Sequence, residues 1–117
     1  VVQEIKSFGG EAVASYDSVA TIEGASSIIK KAIDSFGRLD ILVNNAGILR
    51  DRTILKMSEE EWDSVINVHL KGTFLMTQKA AAIMKEQGTG GRIINTTSVA
   101  GLMDSQWLLP LNLRNME

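Results

Sequence analysis

The chain has 117 residues, a formal net charge of −2, 44% hydrophobic and 22% charged residues, and no cysteine. That suffices for one small domain with its own core, and it excludes disulfides and thiolate metal sites. Without a basic block, nucleic acid is not an expected partner, and no apolar run reaches the length of a membrane span. No metal site is expected either. No signal peptide is visible and the chain starts at Val1, so a processed or partial intracellular product is expected.

Residues 11–16, "EAVASY", follow Gly9 and Gly10 and are predicted as a short strand. Next, Ile22, Ala25, Ile28, Ile29, Ala32, Ile33 and Phe36 recur at three- and four-residue steps. They predict one apolar helix face, with Lys30, Lys31 and Asp34 outside and Gly37 as the terminator. "LDILV", residues 39–43, is a continuous apolar run, the pattern of a strand covered on both faces.

Ser58 and Glu61 predict a capping box, with Met57 and Trp62 placed as a hydrophobic staple. Glu59 and Glu60 suit the positive end of the helix dipole. The apolar face continues through Val65, Ile66, Leu70, Phe74, Thr77, Ala81 and Met84. That is long for one helix, so a break is expected near residues 69–72. "GTGG" closes the helix and "RIINTTS" gives a third strand over residues 92–96. Strand, helix, strand, helix, strand predicts an α/β fold with a parallel sheet and right-handed crossovers. Residues 104–117 do not continue the alternation, and Pro110 interrupts their one apolar run.

In open α/β sheets, ligands bind at the carboxyl ends of the strands. Here those ends read Asp17-Ser18, then Asn44-Asn45-Ala46-Gly47, then Thr96-Thr97-Ser98. Ala46 and Gly47 would let a flat ligand approach the backbone, and the asparagines could satisfy backbone groups where the ladder stops. The same residue types also simply mark loop starts, so composition leaves both readings open.

With Asp17-Ser18 upstream, "NNAG" at 44–47 and "TTSVAG" downstream, the chain resembles the short-chain dehydrogenase/reductase family over residues 1–103. The stretch "NNAGILRDRTILKMSEEEWDSVINVHLKGTF" is similar to the dehydrogenase domain of multifunctional enzymes that oxidise (3R)-hydroxyacyl-CoA thioesters. The 3-oxoacyl-carrier-protein reductases stand next to it. The resemblance implies part of a Rossmann-like doubly wound parallel sheet over residues 1–103, with a divergent tail over 104–117. It implies NAD or NADP as cofactor, a small-molecule alcohol or ketone substrate, and a homo-oligomer in the intact family member. A cytoplasmic location is implied, or a peroxisomal one in a eukaryote.

The resemblance also implies roles. Asp17, followed by Ser18, matches the carboxylate that accepts from the adenine amino group. Asn45, Ala46 and Gly47 match the segment along the adenosine and ribose. Asn44 matches a residue that ties neighbouring strands together. Ser98 matches the catalytic serine that polarises the substrate oxygen. His69 stands where most of the family has an asparagine that helps hold a relay water, which a neutral imidazole can also do.

Two departures follow. No G-x-x-x-G-x-G turn is present to hold a pyrophosphate, and the Tyr-x-x-x-Lys positions are Leu111 and Asn115. Without that general acid/base pair, this chain alone is expected to be inactive. The alternative is a truncated, non-catalytic product serving as an interaction or oligomerisation module through Phe74, Thr77, Ala81 and Met84. In a 3-2-1-4-5 sheet, residues 11–16 and 39–43 would be the third and fourth strands, with two strands missing between them. We expect the isolated chain to pair those two segments, to borrow strands or to aggregate.

Overall fold

The computed structural model describes residues 1–98. The predicted boundary at residue 103, the tail beyond it and the positions of Leu111 and Asn115 lie outside the described residues. A short helix, α1 (Val2–Ser7), comes first. The main helix before the sheet starts at Thr21, whose hydroxyl accepts the Gly24 N–H at 3.1 Å. This satisfies one of the donors that a helix start leaves open. Helix α2 (Ile22–Phe36) ends at Gly37, which takes a left-handed φ of 77°, as glycine does without steric strain.

Strands β1 (Ile41–Asn44) and β2 (Arg92–Asn95) pair in parallel, Ile41 opposite Arg92 and Asn44 opposite Asn95. Parallel neighbours need a crossover, which α3 (Glu59–Ile66) and α4 (Gly72–Gln87) supply. The predicted capping box is present: Ser58 Oγ accepts the Glu61 N–H, and the Glu61 carboxylate accepts the Ser58 N–H. The expected break between the two helices is a π-helical segment, Asn67–Lys71. It closes with the Gly72 N–H donating to the Asn67 carbonyl. Such wide turns are frequent where helices carry functional groups.

The core joins Ala25 and Ile29 of α2, Leu42 of β1, and Leu75, Met76, Ala80 and Met84 of α4. It lies on one side of the sheet. The other end of β1 is fixed by a side chain. Leu39 N–H donates to Gln87 Oε1 at 2.7 Å, and Gln87 Nε2 donates to the Leu39 carbonyl at 2.8 Å. One amide thus meets both backbone groups of Leu39, as a neighbouring strand would.

Three expectations are corrected. Residues 11–16 form no strand and do not pair with β1. Among the described residues no third strand faces them, and an apolar pattern becomes a ladder only opposite a partner's N–H and C=O groups. The 39–43 run is not covered on both faces: Leu42 is 7% exposed, but Ile41 and Val43 are 57% and 53% exposed. The helix stripe also divides. Met84 is in the core and Thr77 bonds Asn44, while Phe74 and Ala81 are exposed.

Candidate functional site

The carboxyl ends of β1 and β2 open on a pocket of about 370 Å³. Its wall is residues 44–47, Leu49, His69, Thr73 and residues 96–98. Five predicted site residues therefore meet there: Asn45, Ala46, Gly47, His69 and Ser98.

Asn44 closes the floor. Its Nδ2 donates to Thr77 Oγ1 on α4 at 3.1 Å and to Asn95 Oδ1 on β2 at 2.8 Å. Asn44, expected to tie neighbouring strands together, thus bonds the neighbouring strand β2 and also α4 through one amide. β2 continues past its last ladder residue, with the Thr96 N–H donating to the Asn44 carbonyl at 3.1 Å, which carries Thr97 and Ser98 to the pocket.

The π-helical segment delivers His69 to the opposite wall. Its Nε2 lies 3.1 Å from the Ile48 nitrogen and 2.9 Å from the Ile48 carbonyl oxygen. The ring also rests on Gly47, where an added Cβ would come within 2.8 Å of Cε1. The close approach at Gly47 is made by an imidazole of the chain itself, and Ala46 keeps the exposed surface beside it. Thr73, four residues on, donates its hydroxyl to the His69 carbonyl at 2.7 Å.

The structure does not bring Asp17 and Ser18 into the pocket wall. They belong to an adjoining loop seated by two glycines. An added Cβ on Gly24 would lie 2.0 Å from the Ser18 carbonyl oxygen, and one on Gly72 would lie 2.9 Å from Val19 Cγ2. Val19 then borders a hollow of about 10 Å³ that also touches Asn44 and Ala46, which links the loop to the site. The Ser15 hydroxyl donates to Asp17 Oδ2 at 2.6 Å and the Ser27 hydroxyl at 3.0 Å. These two bonds, Ser15 first, hold the Asp17 carboxyl below its ordinary value of 3.8. Ser18 Oγ accepts the Ala20 N–H.

Sequence reasoning missed Leu49, Thr73, Val19 and Gln87. A Thr four residues after His69 was a readable signal, because a helical hydroxyl bonds back to that carbonyl. Nothing local marks Gln87, whose partner is 48 residues away. A larger hollow of about 440 Å³ lies between the end of α1, residues 9–13 and the end of α2, and contains no predicted site residue. Among the described residues, no cluster of three metal-ligating side chains occurs, and no helix is long and apolar enough to cross a membrane.

A family model described as short chain dehydrogenase matches residues 1–110. The chain belongs to the short chain dehydrogenase family. This short chain dehydrogenase is 58% identical over 102 residues to peroxisomal multifunctional enzyme type 2 of Drosophila melanogaster. That match covers 87% of this chain and 16% of the relative. It is 48% identical over 103 residues to a 3-oxoacyl-[acyl-carrier-protein] reductase of Synechocystis, covering 88% and 41%. A crystal structure of a short chain dehydrogenase from Mycobacterium avium superposes with a TM-score of 0.79 at 51% identity, over 86% of this chain and 37% of that one. The chain therefore spans less than half the length of these relatives. β1, β2 and their crossover are a portion of a Rossmann-like α/β fold, in an oxidoreductase family that uses NAD(P) and small-molecule substrates.

Proposed function

We propose that this chain is the central portion of an NAD(P)-dependent oxidoreductase. It moves a hydride between the cofactor and a hydroxyl or carbonyl substrate, with a 3-hydroxyacyl or 3-oxoacyl thioester as the substrate class. One observation carries the reading: Asn45, Ala46, Gly47, His69 and Ser98 share one pocket at the ends of two parallel strands. Among the described residues, the wall contains no Lys, Arg, Asp or Glu, which suits a sugar and a flat ring. Among the described residues the wall offers no cation for a pyrophosphate, and the sequence has no G-x-x-x-G-x-G turn, so in this reading the chain holds only part of the cofactor.

NAD(P), when bound, supplies the hydride acceptor or donor. Ser98 donates a hydrogen bond to the substrate oxygen as charge develops there. Residues 45–47 lie along the adenosine and ribose. Asp17, kept ionised by Ser15 and Ser27, is suited to accept from the adenine amino group. The chain alone is inactive in this reading, since no Tyr-x-x-x-Lys pair is present to move the proton. The location is intracellular, cytoplasmic or peroxisomal, the last suggested by the names of its relatives.

The test is cofactor reduction by the full-length protein with NAD or NADP and 3-hydroxyacyl thioesters. Ser98→Ala should lower kcat by about 10²–10³. Lack of turnover with every thioester, in both directions, overturns the substrate class. Calorimetry on the 117-residue chain should find cofactor binding no tighter than about millimolar. Micromolar binding refutes the partial-site reading.

A second reading, a non-catalytic interaction module, draws on Leu70 and Phe74. They stand four residues apart on the crossover and are 66% and 58% exposed. Turnover by the full-length protein that is insensitive to Phe74→Ser separates the two readings.

A further inference from the structure

The ring of His69 meets the backbone of Ile48 in a way that one nitrogen cannot satisfy in full. Nε2 is within hydrogen-bond reach of both the N–H and the carbonyl of the same residue. A ring nitrogen is a donor or an acceptor, never both. With the proton on Nδ1, Nε2 accepts the Ile48 N–H. With a proton on Nε2, it donates to the Ile48 carbonyl, and the N–H loses this acceptor. The imidazolium allows only the second arrangement. The same ring is pressed on Gly47, and residues 45–47 and Leu49 are pocket wall.

We propose that His69 is a positioning residue whose protonation switches the 45–49 wall of the pocket between two hydrogen-bonded settings. The exchange needs no movement of the ring, because both Ile48 groups already lie within reach of the same nitrogen. The surroundings leave the exchange to the backbone. Among the described residues that share the pocket wall with His69, β1 and its loop contribute Asn44, Asn45, Ala46, Gly47 and Leu49, α4 contributes Thr73, and residues 96–98 follow β2; none of these is charged. In the flanking segments, Arg50 and Asp51 after the loop, Asp63 on α3 and Lys71 on the π-helical segment are charged and exposed. With the ring neutral both tautomers are available, and Ile48 N–H has its acceptor in one of them. With the ring charged, that bond is gone. The consequence for the cofactor rests on the proposed function, whereas the switch itself does not.

Nitrogen-15 NMR of the full-length protein from pH 5 to 8 tests this. The ring nitrogens of His69 and the amide of Ile48 should move with a common midpoint. His69→Asn supplies a separate donor and acceptor, so it should keep the Ile48 amide protected and make its shift independent of pH. His69→Leu removes both partners and should raise hydrogen exchange at Ile48 roughly three- to tenfold. An Ile48 amide that ignores the ring's titration, or that titrates equally in His69→Asn, overturns the switch; neither result requires the Leu variant to fold. NAD affinity should fall with pH through the same midpoint in the wild type and stay level in His69→Asn. A level wild-type affinity beside a moving Ile48 amide overturns the link to the cofactor and upholds the switch. No NAD binding at any pH overturns the proposed function alone.

Discussion

The two faces of β1 carry the same kind of residue and meet different fates. On the inner face, Leu42 packs among Ala25, Ile29, Leu75, Met76, Ala80 and Met84. On the outer face, Ile41 and Val43 stay more than half exposed, and Ile94 beside them on β2 is 51% exposed. The chemistry of the strand therefore asks for burial twice and receives it once among the described residues. The inner face is where stability resides, and it also bears the site, because Asn44 follows Leu42 on that side and bonds α4. The outer face is an unmet requirement, and a two-stranded sheet is marginal without a cover.

The largest test of this contrast is the behaviour of the 117-residue chain on its own. An open, apolar strand edge and face favour association, so size-exclusion chromatography should show concentration-dependent oligomers or aggregate. Val43→Lys should shift the chain toward monomer. A soluble monomer with strongly protected amides in β1 would contradict the bare face. Within the folded protein, Leu42→Ala should lose about 2–5 kcal/mol by urea unfolding, for the lost side-chain burial and the cavity left behind. Val43→Ala should lose under about 1 kcal/mol in the 117-residue chain. An equal loss at both positions in the full-length protein would mean that the outer face is covered there.

Glycines sharpen the comparison at the rim of the inner face. Gly24→Ala places a Cβ 2.0 Å from the Ser18 carbonyl, and backbone cannot step aside as a side chain can. A loss of about 1–3 kcal/mol is expected, with displacement of the Asp17 loop. Gly47→Ala meets the edge of the His69 ring, which can swing, so its stability loss should be smaller. It should nevertheless dislodge the ring from Ile48. Parallel thermal melts and Ile48 amide exchange rank the two variants. An equal effect on Tm would mean that the imidazole is as fixed as backbone.

Gln87 tests the other end of β1. Gln87→Ala leaves the Leu39 N–H and carbonyl without these partners, at an expected loss of about 1–2 kcal/mol. Gln87→Glu keeps the acceptor and loses the donor, and should fall between wild type and Ala in urea unfolding. If Glu and Ala match, the donor half carries the whole effect.

What was legible in the sequence follows the range of the forces involved. The capping box at Ser58 and Glu61, the end of α2 at Gly37 and the wide turn before Gly72 depend on near neighbours in the chain. Those were readable. That residues 11–16 form no strand was not readable, because a ladder depends on a partner, and the apolar alternation is the same with or without one. At the site, the motif residues could be placed on one sheet edge from topology alone. That Asp17 sits beside the pocket and not in its wall could not, because it depends on how Val19 packs against Gly72. Nor could the seating of Gly47 under His69, since nothing in the spacing of residues 47 and 69 encodes a ring on a glycine.

The smallest expected effect lies on the exposed surface where Asp17 is stitched to α2. Ser15 and then Ser27 donate to the same carboxylate oxygen, and Lys31 adds a weaker attraction, while partial desolvation opposes them. The carboxyl is thereby held below 3.8 in the folded protein. A group whose folded value is depressed favours folding fully above its unfolded value, and that contribution disappears as pH falls through the folded value. Asp17 should thus add slightly to stability at neutral pH and cease to do so in acid below about pH 3.8. Ser27→Ala removes one donor and should move the Asp17 titration upward toward the ordinary value. Ser15→Ala, which removes the shorter bond, should move it further. Carbon-13 NMR of the Asp17 carboxyl reads both shifts directly. An unperturbed titration in the wild type, or one that neither substitution moves, would show that the loop is not stitched to α2 in solution. The position of the Asp17 carboxylate would then rest on Gly24 and Gly72 alone.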